Sequence, residues 1–156
     1  MRKSTTEQLK FDSKARRDME EIVKFETVSQ YNIFNNHETL HPLVSVIDFS
    51  KAAPRRLRKT YFGFYLVLLK DVECGDLRYG KNTYDYQEGT LIFLAPGQML
   101  GANGGDELYQ PKGYGIVFHP DLIKGTSLGR HMDDYTFFSY NVTEALHVSE
   151  RERQLV

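Results

Sequence analysis

Short hydrophobic runs recur along the chain from residue 44 onwards. These runs are rich in β-branched and aromatic residues, which are enriched in β-strands. Turn-forming residues separate them, among them Gly75, Gly89 and the pair Pro96-Gly97. Many short strands with frequent turns predict a mainly β fold, either a sandwich or a barrel. The predicted strands span residues 44–50, 60–70, 76–80, 83–87, 90–96 and 112–120.

The two ends of the chain have a different pattern. Residues 1–24 are polar and charged and contain no Gly or Pro, so we expect a helix or an arm that orders against another surface. After Pro120 the apolar spacing changes and predicts short helices, the first of which ends at Gly125. The sequence therefore predicts an N-terminal arm or helix over 1–24, a β-domain over 25–120 and a helical segment over 121–156.

The last residues predict the start of another helix. Ser149 is followed three residues later by Glu152, the spacing of a capping box, and helix-favouring residues continue to Val156. Isolated helices shorter than about 12–15 residues are marginal in water. We therefore expect this helix to continue in a longer protein, of which the printed sequence is a fragment.

Composition and charge narrow the functional classes. The chain has 156 residues, which fits one domain, and its net charge of −1 argues against a nucleic-acid-binding surface. The basic run over 51–59 favours a solvated loop, because short charge runs are usually hydrated. A single cysteine, Cys74, is typical of a reducing compartment. With no secretory signal and no apolar run long enough for a membrane, we predict a cytoplasmic protein.

The segment from His37 to His41 matches H-E-x-x-H, the zinc-binding pattern of metalloproteases. That chemistry requires a helix, which places both histidines on one face and leaves Glu38 as general base. Pro42 follows at once and disfavours helical geometry at the residue before it. We therefore interpret the two histidines as loop and strand-edge residues and predict neither a metal site nor a cofactor.

Residues 104–108, GGDEL, match the glycine-acidic hairpin of diguanylate cyclases. The hairpin of that family lies in a mixed α/β domain, whereas the surroundings here predict strands. A Gly-Gly turn with solvated acidic residues is the simpler interpretation. No Ser, His and Asp stand in a recognisable nucleophile context, so the sequence nominates no catalytic residue.

Residues 88–100, EGTLIFLAPGQML, resemble the strand and turn of cupin barrels, in which a Gly opens an apolar strand that ends at Pro-Gly. In metal-binding cupins a histidine usually follows this turn, whereas Gln98, Met99 and Leu100 follow it here. The resemblance implies a cupin-like double-stranded β-helix, or jelly-roll barrel, flanked by the N-terminal arm and the short C-terminal helices. Its cavity would be lined by aromatic and polar side chains rather than built around a metal.

A longer resemblance covers residues 39–156, with FHPDL, GTSLG, YTFFSY and EALHVSE as its most distinctive parts. These runs resemble the N-terminal regulatory domain of AraC-type transcription regulators, particularly a branch common in Bacteroidetes. The resemblance implies a barrel that senses a small-molecule effector and a helical region that forms a homodimer. It also implies that DNA is bound only through a further domain of two helix-turn-helix units, and that the protein is not an enzyme.

Strand alternation nominates residues that line the predicted barrel. Tyr84 and Tyr86 share one face of their strand, and Arg78 on the preceding strand is suited to pair with a carboxylate or phosphate. Three more candidates lie on other strands among apolar neighbours. Aromatic walls with a few polar groups are the usual composition of a small-molecule pocket. The predicted ligand-binding residues are Tyr65, Arg78, Tyr84, Tyr86, Phe93 and His119.

Two other classes of protein fit part of the pattern. A stand-alone cupin isomerase, epimerase or oxygenase, or a small-molecule-binding protein, would account for the barrel. A dimerisation scaffold whose cavity is filled by its own side chains would also do so. A bound metal would indicate the enzyme. A ligand-dependent rise in melting temperature without metal would indicate the sensor, and a dry barrel filled by side chains would indicate the scaffold.

Overall fold

The computed structural model describes residues 22–70, 78–79, 82–83, 90–101, 108–139, 146–147 and 151. Strands predominate in this part of the chain and its helices are short, which confirms the mainly β fold predicted from the sequence. None of the helices in these ranges is long and apolar enough to cross a membrane.

Strands and short helices follow one another along the described part of the chain. The strands are β1 (Val23–Phe25), β2 (Val44–Asp48), β3 (Arg55–Arg56), β4 (Thr60–Phe62), β5 (Tyr65–Lys70), β6 (Arg78–Tyr79), β7 (Asn82–Thr83), β8 (Thr90–Leu94), β9 (Met99–Leu100), β10 (Leu108–Tyr109), β11 (Gly113–Phe118) and β12 (Leu146–His147). The α-helices are α1 (Val28–Phe34), α2 (Pro120–Ile123), α3 (Ser127–Arg130) and α4 (Thr136–Ser139), and single 3-10 turns span Phe49–Lys51 and Met132–Asp134.

A five-stranded antiparallel sheet with strand order β12-β8-β5-β11-β2 is the largest sheet of the fold. Successive side chains of a strand point to opposite faces. The register places Leu66 of β5 opposite Leu94 of β8 and Val117 of β11, and all three are fully buried. We call this side the inner face of the sheet. The other side, the outer face, carries Tyr65 and Phe93.

The hydrophobic core lies between the inner face and two smaller sheets. In one of these, β4 pairs in parallel with β1 and antiparallel with β9; in the other, β3 pairs with β10. Phe25 of β1 and Phe62 of β4 belong to the same buried cluster as Leu66 and Val117 of the large sheet. Over the described residues, hydrogen bonding does not join these sheets into a closed barrel.

Several boundaries differ from the sequence-based prediction. Val23 and Lys24, which fall in the predicted arm, begin β1, while residues 1–21 lie outside the described part of the chain. The single strand predicted over 60–70 is divided into β4, which pairs with β1 and β9, and β5, which pairs with β8 and β11 in the large sheet. In the segment predicted to be helical, β12 extends the large sheet by pairing with β8.

Helix α1 lies in a segment for which the sequence analysis predicts no element. Thr27 is its N-cap residue, and the Thr27 Oγ1 accepts a hydrogen bond from the Gln30 N–H at 3.2 Å. The Gln30 Oε1 in turn accepts from the Thr27 N–H at 3.2 Å, which completes a capping box. This start fixes the face of the helix that buries Val28 and Tyr31 in the core.

Thr27→Ala is therefore expected to lower the free energy of unfolding by about 1 kcal/mol, the usual cost of losing a side-chain cap. Thr27→Ser keeps the hydroxyl and should stay within about 0.5 kcal/mol of the parent protein. Urea denaturation of the three proteins measures both effects. Equal losses in the Ala and Ser variants would show that the hydroxyl does not act as a cap.

Candidate functional site

A cavity of about 410 Å³ opens between the inner face and the two smaller sheets. Strands β1, β3, β4, β5, β9 and β10 and helix α1 all contribute to its wall. Most of the lining is apolar, and aromatic rings are prominent in it. The aromatic residues that line the cavity are Phe25, Tyr31, Phe34, Phe49, Phe62 and Tyr109.

The short pair of strands β3 and β10 brings polar groups into this apolar wall. Arg55 lies directly opposite Tyr109 in their register, so the two side chains share a face. The Arg55 Nε donates to the Tyr109 hydroxyl at 3.3 Å, and the Arg55 Nη1 donates to the Oδ1 of Asn35 at 2.8 Å. The guanidinium also stacks over Phe34, with its carbon 4.6 Å from the ring centroid.

Asn35 links this polar group to helix α1. It is fully buried, and its Nδ2 donates to the backbone carbonyl oxygen of Tyr31 at 2.7 Å. The amide therefore binds the helix end with its nitrogen and the guanidinium of Arg55 with its oxygen. We call Tyr31, Asn35, Arg55 and Tyr109 the polar cluster. It is a fixed, hydrogen-bonded group at the wall of a mostly apolar cavity.

Tyr31 is the most strongly perturbed titratable group described in this site. Burial raises the pKa of its phenol to about 12, although the positive charge of Arg55 and hydrogen bonds with Asn35 and Arg55 oppose the shift. The neutral phenol is therefore the form that the folded protein holds, because a phenolate would lose its hydration in the core.

This pKa predicts a loss of stability at alkaline pH. The folded value lies above the ordinary value of 10, so the contribution of Tyr31 is complete below pH 10 and is lost as pH rises through about 12. The full effect is about 3 kcal/mol. Urea denaturation between pH 9 and 12, compared with Tyr31→Phe, measures it. Parallel pH profiles of the two proteins would contradict the prediction.

The basic run over 51–59 is not simply the solvated loop that its composition predicts. Arg55 is half-buried, and Arg55, Arg56, Leu57 and Arg58 all contribute to the cavity wall. The signal for this placement is an apolar Leu57 two positions from Arg55, the spacing of one face of a strand. Because most side chains of the run are cationic, the two-residue spacing of Arg55 and Leu57 is difficult to recognise from the sequence.

The outer face of the large sheet holds two of the residues predicted to bind a ligand. The Tyr65 ring stacks on Phe118, with centroids 4.9 Å apart, and meets Phe138 of α4 edge-on at 5.1 Å. Phe93 contacts the rings of Phe137 and Phe138, each at 5.5 Å. Burial and the nearby charge of Asp133 raise the pKa of Tyr65. These rings pack α4 against the sheet, on the side away from the cavity.

Of the remaining predicted ligand-binding residues, His119 is described with its side chain and does not line the cavity. His119 is the N-cap of α2, where its Nδ1 accepts from the Asp121 N–H at 3.2 Å. Arg78 lies in β6, which pairs only with β7 among the described strands. Tyr84 and Tyr86 lie outside the described residues. A role for these six residues in ligand binding stays a prediction, and the described lining of the cavity consists of other residues.

The turn after β8 is held by Gln98, the residue that directly follows Pro96-Gly97. Gly97 has φ +91°, and the Gln98 N–H donates to the Ala95 carbonyl oxygen at 3.2 Å. The Gln98 Oε1 accepts from the Ala95 N–H at 2.9 Å, while its Nε2 donates to the Phe138 carbonyl oxygen at 3.4 Å. Gln98 therefore closes the turn and ties α4 to it.

The H-E-x-x-H motif at residues 37–41 lies in the described ranges, whereas most of the GGDEL motif does not. Residues 37–41 contain no helix, as Pro42 predicts, and the His41 Nδ1 accepts from the Leu43 N–H at 3.1 Å. Residues 104–107 of the second motif lie outside these ranges. Within the described part of the chain, no three His, Cys, Asp or Glu side chains are grouped as metal ligands.

Comparisons with known proteins gave no match among family models, curated proteins or solved structures.

Proposed function

We propose that this chain is a ligand-binding regulatory domain whose effector occupies the cavity beside the polar cluster. The observation that carries the proposal is the cavity itself, about 410 Å³ in volume with an aromatic wall and a fixed polar group. Small-molecule sites are typically clefts of roughly 300–1,000 Å³, mostly apolar, with a few placed polar groups that set orientation. The cavity has both properties.

The finer form of the proposal is the regulatory domain of an AraC-type transcription regulator in the cytoplasm. Its support is the resemblance over residues 39–156 and the cupin-like strand and turn at 88–100. In this proposal the sheets around the cavity correspond to a cupin jelly roll, residues 121–156 mediate homodimer formation, and a separate helix-turn-helix domain binds DNA. The mass of the protein isolated from its source tests this form, since the DNA-binding part would add roughly 100–150 residues.

The mechanism that we propose is a shift between two arrangements of the N-terminal segment. Val23 and Phe25 of β1 and Tyr31 of α1 line the cavity, so a ligand contacts the elements that directly follow residues 1–21. A ligand that binds one arrangement of these elements more tightly shifts the equilibrium by its difference in affinity for the two. The arrangement of the dimer, and the spacing of DNA half-sites that it fits, would change with it.

A thermal-shift screen of the purified chain tests the function. Compounds of cavity size are added with and without a chelator, and the metal content of the protein is measured. A ligand present at about 100 times its Kd should stabilise the folded state by roughly 2.7 kcal/mol, and the chelator should not change this. A bound metal required for stabilisation would favour the cupin enzyme instead. A protein that no compound stabilises would favour the scaffold.

A further inference from the structure

We infer that the cavity selects an organic monoanion, specifically a small carboxylic acid with an aromatic or branched apolar body. This inference rests on the proposed function and names the class of ligand for the same site. It follows from the distribution of charge around the cavity, from the bonding of Arg55 and from the cavity volume.

The described wall of the cavity is cationic. Arg55, Arg56, Arg58 and Lys112 contribute to it, and none of its described residues is an Asp or Glu. Arg56, Arg58 and Lys112 are exposed, whereas Arg55 is half-buried. A cleft lined by charge of one sign concentrates molecules of the opposite sign. An anion therefore gains from this wall, and a cation is repelled by it.

Arg55 supplies the specific recognition group. Its hydrogen bonds go to the neutral acceptors Asn35 and Tyr109, and among the described residues no carboxylate forms an ion pair with it. Two hydrogen bonds and the ring of Phe34 fix the guanidinium plane, and a planar guanidinium fits a carboxylate in bidentate geometry. A ligand carboxylate would pair with this guanidinium.

The rest of the wall determines the body of the ligand. The apolar part of the wall includes Phe25, Phe62, Leu68 and Leu100. Such a wall favours an uncharged aromatic or branched group over a sugar. A water molecule takes up about 30 Å³ in the liquid, so a cavity of about 410 Å³ holds about a dozen non-hydrogen atoms. An arylalkanoic acid such as 4-phenylbutyrate has this size and one negative charge.

Isothermal titration calorimetry with 4-phenylbutyrate and its amide, 4-phenylbutyramide, tests the inference. The two probes have the same shape and differ in charge. The acid should bind about tenfold or more tightly than the amide, since hydrogen bonds to charged groups contribute more than neutral ones. Arg55→Gln should remove this preference, and Lys51→Gln should keep it, because Lys51 is in the same basic run but does not line the cavity. Added salt should weaken the binding of the acid more than the binding of the amide.

The outcomes separate this inference from the proposed function. Equal affinities of the parent protein for the acid and the amide would contradict the selectivity for an anion. The cavity would then remain a ligand site without that selectivity. A preference that survives Arg55→Gln would overturn the role of Arg55. If neither probe binds, the inference of an anionic ligand is also contradicted. The proposed function would fail only if the thermal-shift screen found no ligand.

Discussion

Gly101→Ala is expected to lower the free energy of unfolding by about 4 kcal/mol, the combined cost of a strained backbone and an overpacked contact. Gly101 has φ +123°, a conformation that residues with a side chain rarely adopt. A Cβ at this position would overlap the carbonyl oxygen of Arg58 and lie 2.8 Å from its carbonyl carbon. Because both atoms belong to the backbone, the chain at this part of the cavity wall would have to move.

Gly97→Ala is the matched control for this experiment. Gly97 also has a positive φ, +91°, but a Cβ there would meet no atom within 4 Å. The control therefore measures the conformational cost alone, about 1–2 kcal/mol. Urea denaturation of both variants gives the difference. Equal losses would mean that the approach of Gly101 to Arg58 does not constrain the fold.

Phe62→Ala is expected to cost about 4 kcal/mol, within the range found for aromatic residues removed from a core. Phe62 is 2% exposed and lies at the centre of an aromatic cluster. Its ring lies 5.5 Å from Tyr31, 5.8 Å from Phe64 and 6.1 Å from Phe25, measured between centroids. Its loss would remove these contacts, leave a void in the core, and enlarge the cavity that Phe62 lines.

Phe137→Ala serves as the comparison on the outer face. Phe137 is 51% exposed and contacts Phe93, so its removal should cost less than about 1.5 kcal/mol. Urea denaturation measures both variants, and the size of the void can be followed by the affinity for larger apolar probes. A Phe137 variant as unstable as the Phe62 variant would contradict a core centred between the sheets.

Much of the fold is predictable from the sequence because short apolar runs and turn residues point to the same elements. The strands β2, β8 and β11 follow from runs rich in β-branched and aromatic residues, and the turn after β8 follows from Pro96-Gly97. The sequence analysis does not predict helix α1, although Thr27 and Gln30 have the spacing of a capping box. Only two helical turns separate the cap from the asparagines that end the helix. Short helices have weak periodicity.

The cavity was harder to predict because each of its polar residues has an ordinary local explanation. Arg55 lies in a run of basic residues that is typical of a solvated loop, and its partners Asn35 and Tyr109 are 20 and 54 positions away. Tyr65 and Phe93 were nominated from strands that are indeed in the large sheet, but their side chains lie on its outer face. Strand facing changes with a shift of one residue, and only the pairing of the sheets decides it.

The measurement that tests the account most directly is a nuclear magnetic resonance titration of the chain with 4-phenylbutyrate, followed on the aromatic side chains. The account predicts that the signals of Phe25, Tyr31, Phe62 and Tyr109 shift together with one Kd, because these residues line the cavity. Signals of Phe93, on the outer face, should not change. Shifts confined to the outer face, or no saturable shifts at all, would contradict a ligand site between the sheets.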